Sequence, residues 1–341
     1  MNNYFQFKKI TSKEFDKISK KLKLPNIPIE QSTLWGQFDD AIVGRTFLGS
    51  FQYSDHHKTI AIASATLYHQ KGREWIWIKH GPLFTKSPSP EIVKKMCSTL
   101  KLQFKNIDGM SPVFIRLSMP LEVSPMRLPF EHTMYDETIL VNLDLSIDEI
   151  LAQMNQSGRQ GIRRATKYGV QIKEVTRKRV QVFTDECYEI LTETGRRGGF
   201  GIHPLTLYTA MLETLPENAR LYCAYYKQKI VAWAITTEYA SQALYYYGAS
   251  NNQARDIYAP YLLHIEIIKA MKIRGNKSYD FMGIAGKNYP SLKNVTQFKL
   301  KFSKNIIKVP QTYDLPLNTI KYNTLTLAIS VKRKIASLLR N

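Results

Sequence analysis

Two stretches of the chain run through the same order of elements, and that doubling narrows the possible folds more than any single motif does. The later stretch begins LYCAYYKQKIVAWAITTEYASQALYYYGAS, from Leu221 to Ser250. Its three runs, rich in Tyr, Ile, Val, Trp and Thr, are separated by the short polar turns Lys227-Gln228 and Ala240-Ser241-Gln242. Such residues suit a pleated surface, and turns this short join neighbouring strands. A helix follows in APYLLHIEIIKAMKIRG, with Pro260 in its first turn, an apolar stripe of Leu263, Ile267, Ala270 and Met271, and Gly275 at its end. The short strand SYDFMGI comes next, then a polar loop. The earlier stretch has the meander TFLGSFQYSD, TIAIASATLYHQ and REWIWIKHGPLF, then a helix over 91–105 and the strand PVFIRLSM. Trp75–Ile78 corresponds to Tyr245–Gly248 roughly 170 residues on, with no repeat at residue level. A chain of 341 residues has room for two such α/β halves, each with its own core.

After the polar loop, QFKLKF reads as a last strand in which Phe298, Leu300 and Phe302 alternate with Lys299 and Lys301. Period-two geometry puts the aromatics in a core and both ammonium groups on the opposite face, a candidate active centre. Between the halves, the strand ETILVNLDL leads into SIDEILAQMNQSGRQGIRRATKYGV, where Ser146 and Glu149 form a capping box. Gly158 and Gly161 are expected to interrupt this helix. Arg159, Arg163 and Lys167 are four apart and share a face, with Arg164 beside them. Such a row is either a phosphate track or a solvated basic face. Further on, ECYEILTETGRRGGFGIHP sets Arg196 and Arg197 beside Gly198 and Gly199. The planar guanidinium fork suits bidentate phosphate binding, and the same cations also complement a helix C-terminus. Near the start, a lysine-rich helix over 12–23 is broken by Pro25 and Pro28, and QSTLWGQF sets Trp35 and Phe38 one turn apart. Core packing accounts for those two rings.

The 48 basic and 28 acidic side chains leave a net charge of +20. That balance attracts polyanions: RNA, nucleotide-linked substrates or an anionic membrane surface. Cys97, Cys187 and Cys223 match neither zinc spacing nor a disulfide framework, which suits a reducing compartment. The seven histidines form no His-Glu-x-x-His cluster, so no metal is expected, and no Gly-x-Ser-x-Gly elbow or Cys–His pair points to a covalent nucleophile. The start MNNYFQFKKI lacks a secretory apolar core, and no run reaches spanning length, so the expected location is the cytoplasm.

The ordered set of pieces resembles the FemABX family of tRNA-dependent aminoacyltransferases, which build peptidoglycan interpeptide bridges. The matching pieces are QSTLWGQF, GPLF, FIRL, ETILVNLDLSIDEILAQM, RQGIRRATKYGVQI, TGRRGGF, YYYGAS with Ala259 to Leu263, YDFMGI and FKLKF. The resemblance implies an α/β (α+β) fold of two tandem N-acetyltransferase-like domains, with mixed, mostly antiparallel sheets flanked by helices. The expected boundaries are 1–145 plus 318–341 for the first domain and 146–317 for the second. No heptad-rich arm is inserted, so the chain looks like the compact type. The resemblance also implies that Phe298 and Lys299 are the catalytic pair. Arg197 matches a residue that binds a sugar-nucleotide phosphate, and Tyr247 lines the same substrate cleft. Lys301 and Trp35 join them as substrate-side candidates. Asp39 stands where a lysine is expected, and Arg45 is the candidate replacement. Arg159, Arg163, Arg164 and Lys167 are the candidate tRNA contacts.

The implied reaction is attack of a stem-peptide amine on the ester carbonyl of aminoacyl-tRNA, with a UDP- or lipid-linked muropeptide as acceptor. The ester is already activated, so no cofactor, metal or covalent intermediate is needed, and the protein is expected to act as a monomer. One rival is an acetyl-CoA-type N-acyltransferase. It needs a glycine-rich turn at a helix start, where this chain reads NNQARDIYAPY. The other is a non-catalytic protein that binds RNA or a membrane surface. For it, the C-terminal NTLTLAISVKRKIASLLRN offers Leu325, Ile329, Ile335 and Leu338-Leu339 beside Lys332, Arg333 and Lys334. That segment either packs on the first domain or lies on an anionic membrane.

Overall fold

The computed structural model describes residues 5–22, 24, 27–70, 72–107, 109–131, 134–286 and 292–338. Lys23, Pro25, Leu339 and positions 287–291 of the polar loop lie outside the described residues. The chain forms two compact units, Met1–Met134 with Pro310–Asn341, and Tyr135–Val309. The first runs β1 (Phe5–Ile10), α1 (Ser12–Leu22), α2 (Thr33–Asp40), β2 (Arg45–Asp55), β3 (Lys58–Gln70), β4 (Arg73–Ile78), β5 (Leu83–Phe84), α3 (Pro90–Phe104) and β6 (Phe114–Ser118). The second opens with β7 (Glu137–Asn142), α4 (Ile147–Gln153), α5 (Gln156–Lys167), β8 (Gln171–Val175), α6 (Arg179–Val182), α7 (Tyr188–Gly198) and α8 (Leu205–Thr214). It continues with the meander β9 (Ala219–Tyr226), β10 (Lys229–Tyr239) and β11 (Gln242–Ser250). Then follow α9 (Asn252–Asp256), α10 (Ala259–Ile273), β12 (Ser278–Gly283), α11 (Lys293–Lys299) and β13 (Ile306–Lys308). The chain returns to the first unit as β14 (Thr312–Pro316) and α12 (Thr319–Leu338).

Each unit has a seven-stranded sheet among the described residues, ordered β1-β2-β3-β4-β6-β14 with β5 on β3, and β13-β7-β12-β11-β10-β9-β8. The doubled order in the sequence thus becomes a doubled topology. In each unit a meander leads to a helix, and the strand after that helix lies parallel to the meander's third strand. Every other named pairing is antiparallel. Val93, Met96, Leu100 and Phe104 of α3 cluster with Leu67, Ile76, Ile115 and Leu117 of the first sheet. Ile267, Ile268 and Met271 of α10 cluster with Val141, Ala234, Tyr279 and Phe281 of the second.

Three expectations are corrected. The units divide at 134/135 and 309/310 rather than at 145/146 and 317/318. The cause is strand pairing: Glu137–Asn142 is laddered to β12 and β13, while Thr312–Pro316 is laddered to β6. QFKLKF is not a strand. Its first three residues end α11, and the next three form turns closed by backbone bonds from Leu300 to Thr296 and from Phe302 to Lys299. Phe298 and Phe302 are four apart, so one helical turn brings both rings to the same side, where they pack at 5.3 Å. The two lysines therefore do not share an exposed strand face.

The third correction concerns the junction helix, which breaks at Met154-Asn155 instead of at its glycines. The capping box at Ser146 and Glu149 is present. Gly158 and Gly161 lie buried inside α5, where the chain needs bare backbone. A Cβ on Gly158 would stand 2.8 Å from the Lys301 carbonyl oxygen, and one on Gly161 2.8 Å from the Tyr261 ring. Gly158→Val should therefore destabilise the protein by about 1–3 kcal/mol in urea unfolding, the usual cost of overpacking a tight contact. An unchanged unfolding midpoint would contradict this packing.

Candidate active site

Strands β11 and β12 pair over only three residues, Gln242–Leu244 against Ser278–Asp280, and then part. Beyond the fork β12 bends sharply, with Met282 in the left-handed region at φ 57°. The Asp280 carboxylate holds that bend by accepting the Met282 N–H at 2.6 Å and the Thr138 hydroxyl. The ammonium of Lys299 donates to the Met282 and Gly283 carbonyl oxygens, at 3.2 and 2.6 Å. The residue is only 5% exposed, and burial pushes the ammonium down to about 8, with the Asp280 charge opposing that shift.

His264 of α10 is buried beside this centre. Its Nδ1 lies 3.0 Å from the Tyr279 hydroxyl, and its ring packs against Phe281, Phe298 and Phe302. Burial first, and the Lys299 charge second, push its pKa down to about 3, so the imidazole is neutral at ordinary pH. Tyr245 stands edge-on to the same ring at 4.4 Å, and burial pushes its hydroxyl up to about 12. The result is one cation in an aromatic surround. An ammonium carries three donors, and among the described residues two are used on carbonyls. The third N–H can meet an oxygen that becomes negative during reaction.

Of the residues singled out in the sequence, Phe298 and Lys299 lie in this cluster. Lys301 is half-buried where the turn after α11 meets α5, its carbonyl accepting the Asn155 N–H at 3.0 Å. Arg197 and Tyr247 are on other parts of the second unit's framework. Arg197 donates to the Ser250 carbonyl at 2.7 Å and to the Asn252 side chain at 3.1 Å, where β11 ends and α9 begins. Tyr247 packs on Tyr208 of α8 at 4.9 Å, whereas Tyr245 faces α10. The irregularity in the register with β10 separates their directions: Tyr247 pairs with Ile235 and Tyr245 with Thr236, so Tyr246 is the extra residue.

The basic row of α5 is unequal. Arg159 donates to the carbonyls of Leu151, Ala152 and Met154, capping the end of α4. Arg164 donates to the Tyr258 hydroxyl and lies over its ring at 5.1 Å. Arg163 and Lys167 are exposed. In the first unit, Trp35 is buried, edge-on to Phe38 at 4.8 Å and beneath the Lys79 ammonium at 5.0 Å. Arg45 pairs with Asp39 at 2.9 Å and lies over Tyr68 at 5.2 Å. Burial pushes the Asp39 carboxyl above its ordinary value, and the Arg45 cation offsets only part of that rise.

Sequence reasoning missed His264, Tyr279, Tyr245 and Asp280. His264 sits in the apolar run of α10, and Asp280 in the alternation of SYDFMG, so neither carried a local signal. The lowered His264 pKa sets a direction for acid stability. Below about pH 6.5 the unfolded chain takes up a proton that the folded site refuses until about pH 3, so stability falls as pH drops through that window. The midpoint of urea unfolding should fall accordingly, and His264→Phe should flatten that acid limb. Equal acid slopes in the two proteins would show that His264 does not titrate this way.

The FemAB family model matches residues 131–230 and 225–330. No curated protein sequence matches the chain. The crystal structure of FemX is similar, with a TM-score of 0.76 and 16% identity, covering 94% of this chain and 100% of that one. A tandem GNAT protein from the clavulanic acid biosynthesis pathway has a TM-score of 0.54 and 9% identity, covering 92% of this chain and 99% of its own. L-PGS from Bacillus licheniformis has a TM-score of 0.53 and 12% identity, covering 94% of this chain and 96% of its own. These likenesses show a fold of two tandem N-acetyltransferase-like α/β domains. With the family model matching more than half of its length, the chain belongs to the FemAB family.

Proposed function

We propose that this protein transfers an amino acid from aminoacyl-tRNA to the stem-peptide amine of a UDP- or lipid-linked muropeptide, building an interpeptide bridge. The observation that carries this reading is the buried Lys299 ammonium with a donor left over, in a chain of the FemAB family. The amine attacks the ester carbonyl, the C–N bond forms, and negative charge gathers on the carbonyl oxygen. Lys299 stabilises that oxyanion. Collapse of the intermediate breaks the C–O bond, and the tRNA ribose hydroxyl leaves with a proton. His264, held neutral, leaves Lys299 as the cation of the cluster. Phe298 and its aromatic neighbours keep water from the ammonium, which strengthens its effect on a developing charge. Among the described residues no side chain of the cluster is well placed as the base, so the amine's proton passes to the substrate's own phosphates and from there to the departing ribose oxygen.

In this reading Arg197, at the junction of β11 and α9, meets the phosphate of the acceptor, and Tyr247 lines the path to it. Arg163 and Lys167, the exposed members of the α5 row, meet the tRNA backbone, with the net charge of +20 supporting the attraction. The setting is the cytoplasm, with peripheral contact at an anionic membrane.

The experiment is mass spectrometry of muropeptide acceptors incubated with the protein, total charged tRNA and amino acids, with a parallel ribonuclease-treated tube. A gain of one residue mass that ribonuclease abolishes is the expected result. An acetyl gain with acetyl-CoA instead would replace this reading with the N-acyltransferase one. Lys299→Ala should cut the transfer rate by about 10²–10³, the usual effect of losing one oxyanion donor, while tRNA binding stays intact. Because the acting form is the protonated lysine, the rate should fall as pH rises through about 8. Lys299→Arg should move that fall to higher pH. A wild-type rate that holds level past that point would remove Lys299 from the role.

A further inference from the structure

The last helix, α12, has two apolar faces, and only one is used by its own domain. Tyr322 is buried, with its hydroxyl 3.1 Å from Asp314, and Leu325 and Ile329 are half-buried on the same side. This differs from the sequence expectation, which grouped Leu325 and Ile329 with Ile335 and Leu338. At 3.6 residues per turn, Ile320, Leu327, Val331 and Leu338 fall within roughly 40° of one another on the opposite side, with Ile335 at their edge. All five are exposed; Ile320, Leu327 and Leu338 are 80%, 66% and 76% accessible.

The charges beside this second stripe have one sign. Thr319–Leu338 contains no Asp or Glu. Lys321 and Lys332 flank the stripe on one side and Lys334 on the other, while Arg333 points back and donates to the Phe130 carbonyl at 2.8 Å. Lys105 stands across a shallow hollow from Lys321 and adds a further cation at the helix start.

We infer that the outward face of α12 docks on an anionic lipid bilayer, lying in the interface with the aliphatic stripe among acyl chains and the lysines at the phosphate level. A second copy of the chain suits the stripe less well, because its flanking lysines would meet lysines with no carboxylate to pair. RNA suits it less well too, because the stripe has no aromatic ring for a base to stack on. The helix lies on the surface and does not span: among the described residues, no helix is long and apolar enough to cross a membrane. This assigns to α12 the membrane contact of the proposed reading, and it fails separately from the transferase assignment, since binding is measured without transfer.

The test is co-sedimentation of the full chain with vesicles of phosphatidylcholine alone or with about a third phosphatidylglycerol, where binding should rise about tenfold or more. Leu327→Glu/Val331→Glu replaces two exposed side chains, so it should melt like wild type and lose about tenfold in binding to the anionic vesicles. Lys321→Gln/Lys332→Gln should weaken binding to the anionic vesicles and leave the neutral baseline unchanged. The inference is overturned if the stripe variant binds anionic vesicles as well as wild type does, or if wild type binds both vesicle types equally. It is also overturned if the stripe variant loses tRNA binding or a concentration-dependent dimer while its vesicle binding is unchanged.

Discussion

In each unit, two parallel strands stay hydrogen-bonded for three residues and then separate, and the chain has to satisfy the backbone groups left at the fork. In the first unit a neutral amide bridges β3 and the residue after β4, where those two strands part. Gln31 donates to the Lys79 and Ser64 carbonyls at 2.6 and 3.3 Å and accepts the Ser64 N–H at 2.9 Å. The second unit uses charges, the Lys299 ammonium on two carbonyls and the Asp280 carboxylate on the Met282 N–H. The amide carries no charge, whereas the second unit buries a cation beside its parted strands.

The surplus of positive charge is not spread as free cations. Arg116 is buried with Asp314, donating from Nε at 2.7 Å, and such a pair is costly to break from one side. Arg220 bonds both Glu174 and Glu238, and Arg274 also bonds Glu174, tying three strands and the end of α10 together. Arg159 spends its guanidinium on the last carbonyls of α4. Arg163 and Lys167 are exposed instead, so residues that share a spacing with Arg159 have different surroundings.

Much of the framework was legible because it rests on local signals. The alternating β-branched and aromatic runs mark β9 to β11, Ser146 and Glu149 mark the start of α4, and Pro260 marks that of α10. Where the reading failed, one pattern had two solutions. Phe298 and Phe302 satisfy period two and also one helical turn, and the Tyr261, His264 and Phe281 rings they pack against are distant in sequence. Gly158 and Gly161 look like helix breakers until Tyr261 and Lys301 are placed against them. The site was half legible for the same reason. Lys299 stood out as a residue type, but its burial and its neighbour His264 arise only from packing.

The return of β14 to the first unit fixes an order of events on the ribosome. Tyr135–Val309 is continuous and can close as soon as it emerges, whereas the first sheet lacks an edge partner for β6 until Thr312–Pro316 has been made. Until then Arg116 has no carboxylate from Asp314, 198 positions later, and burying its charge alone is unfavourable. The half translated first is therefore the half completed last, and a chain truncated before β14 would have a finished second unit and an unsealed first one.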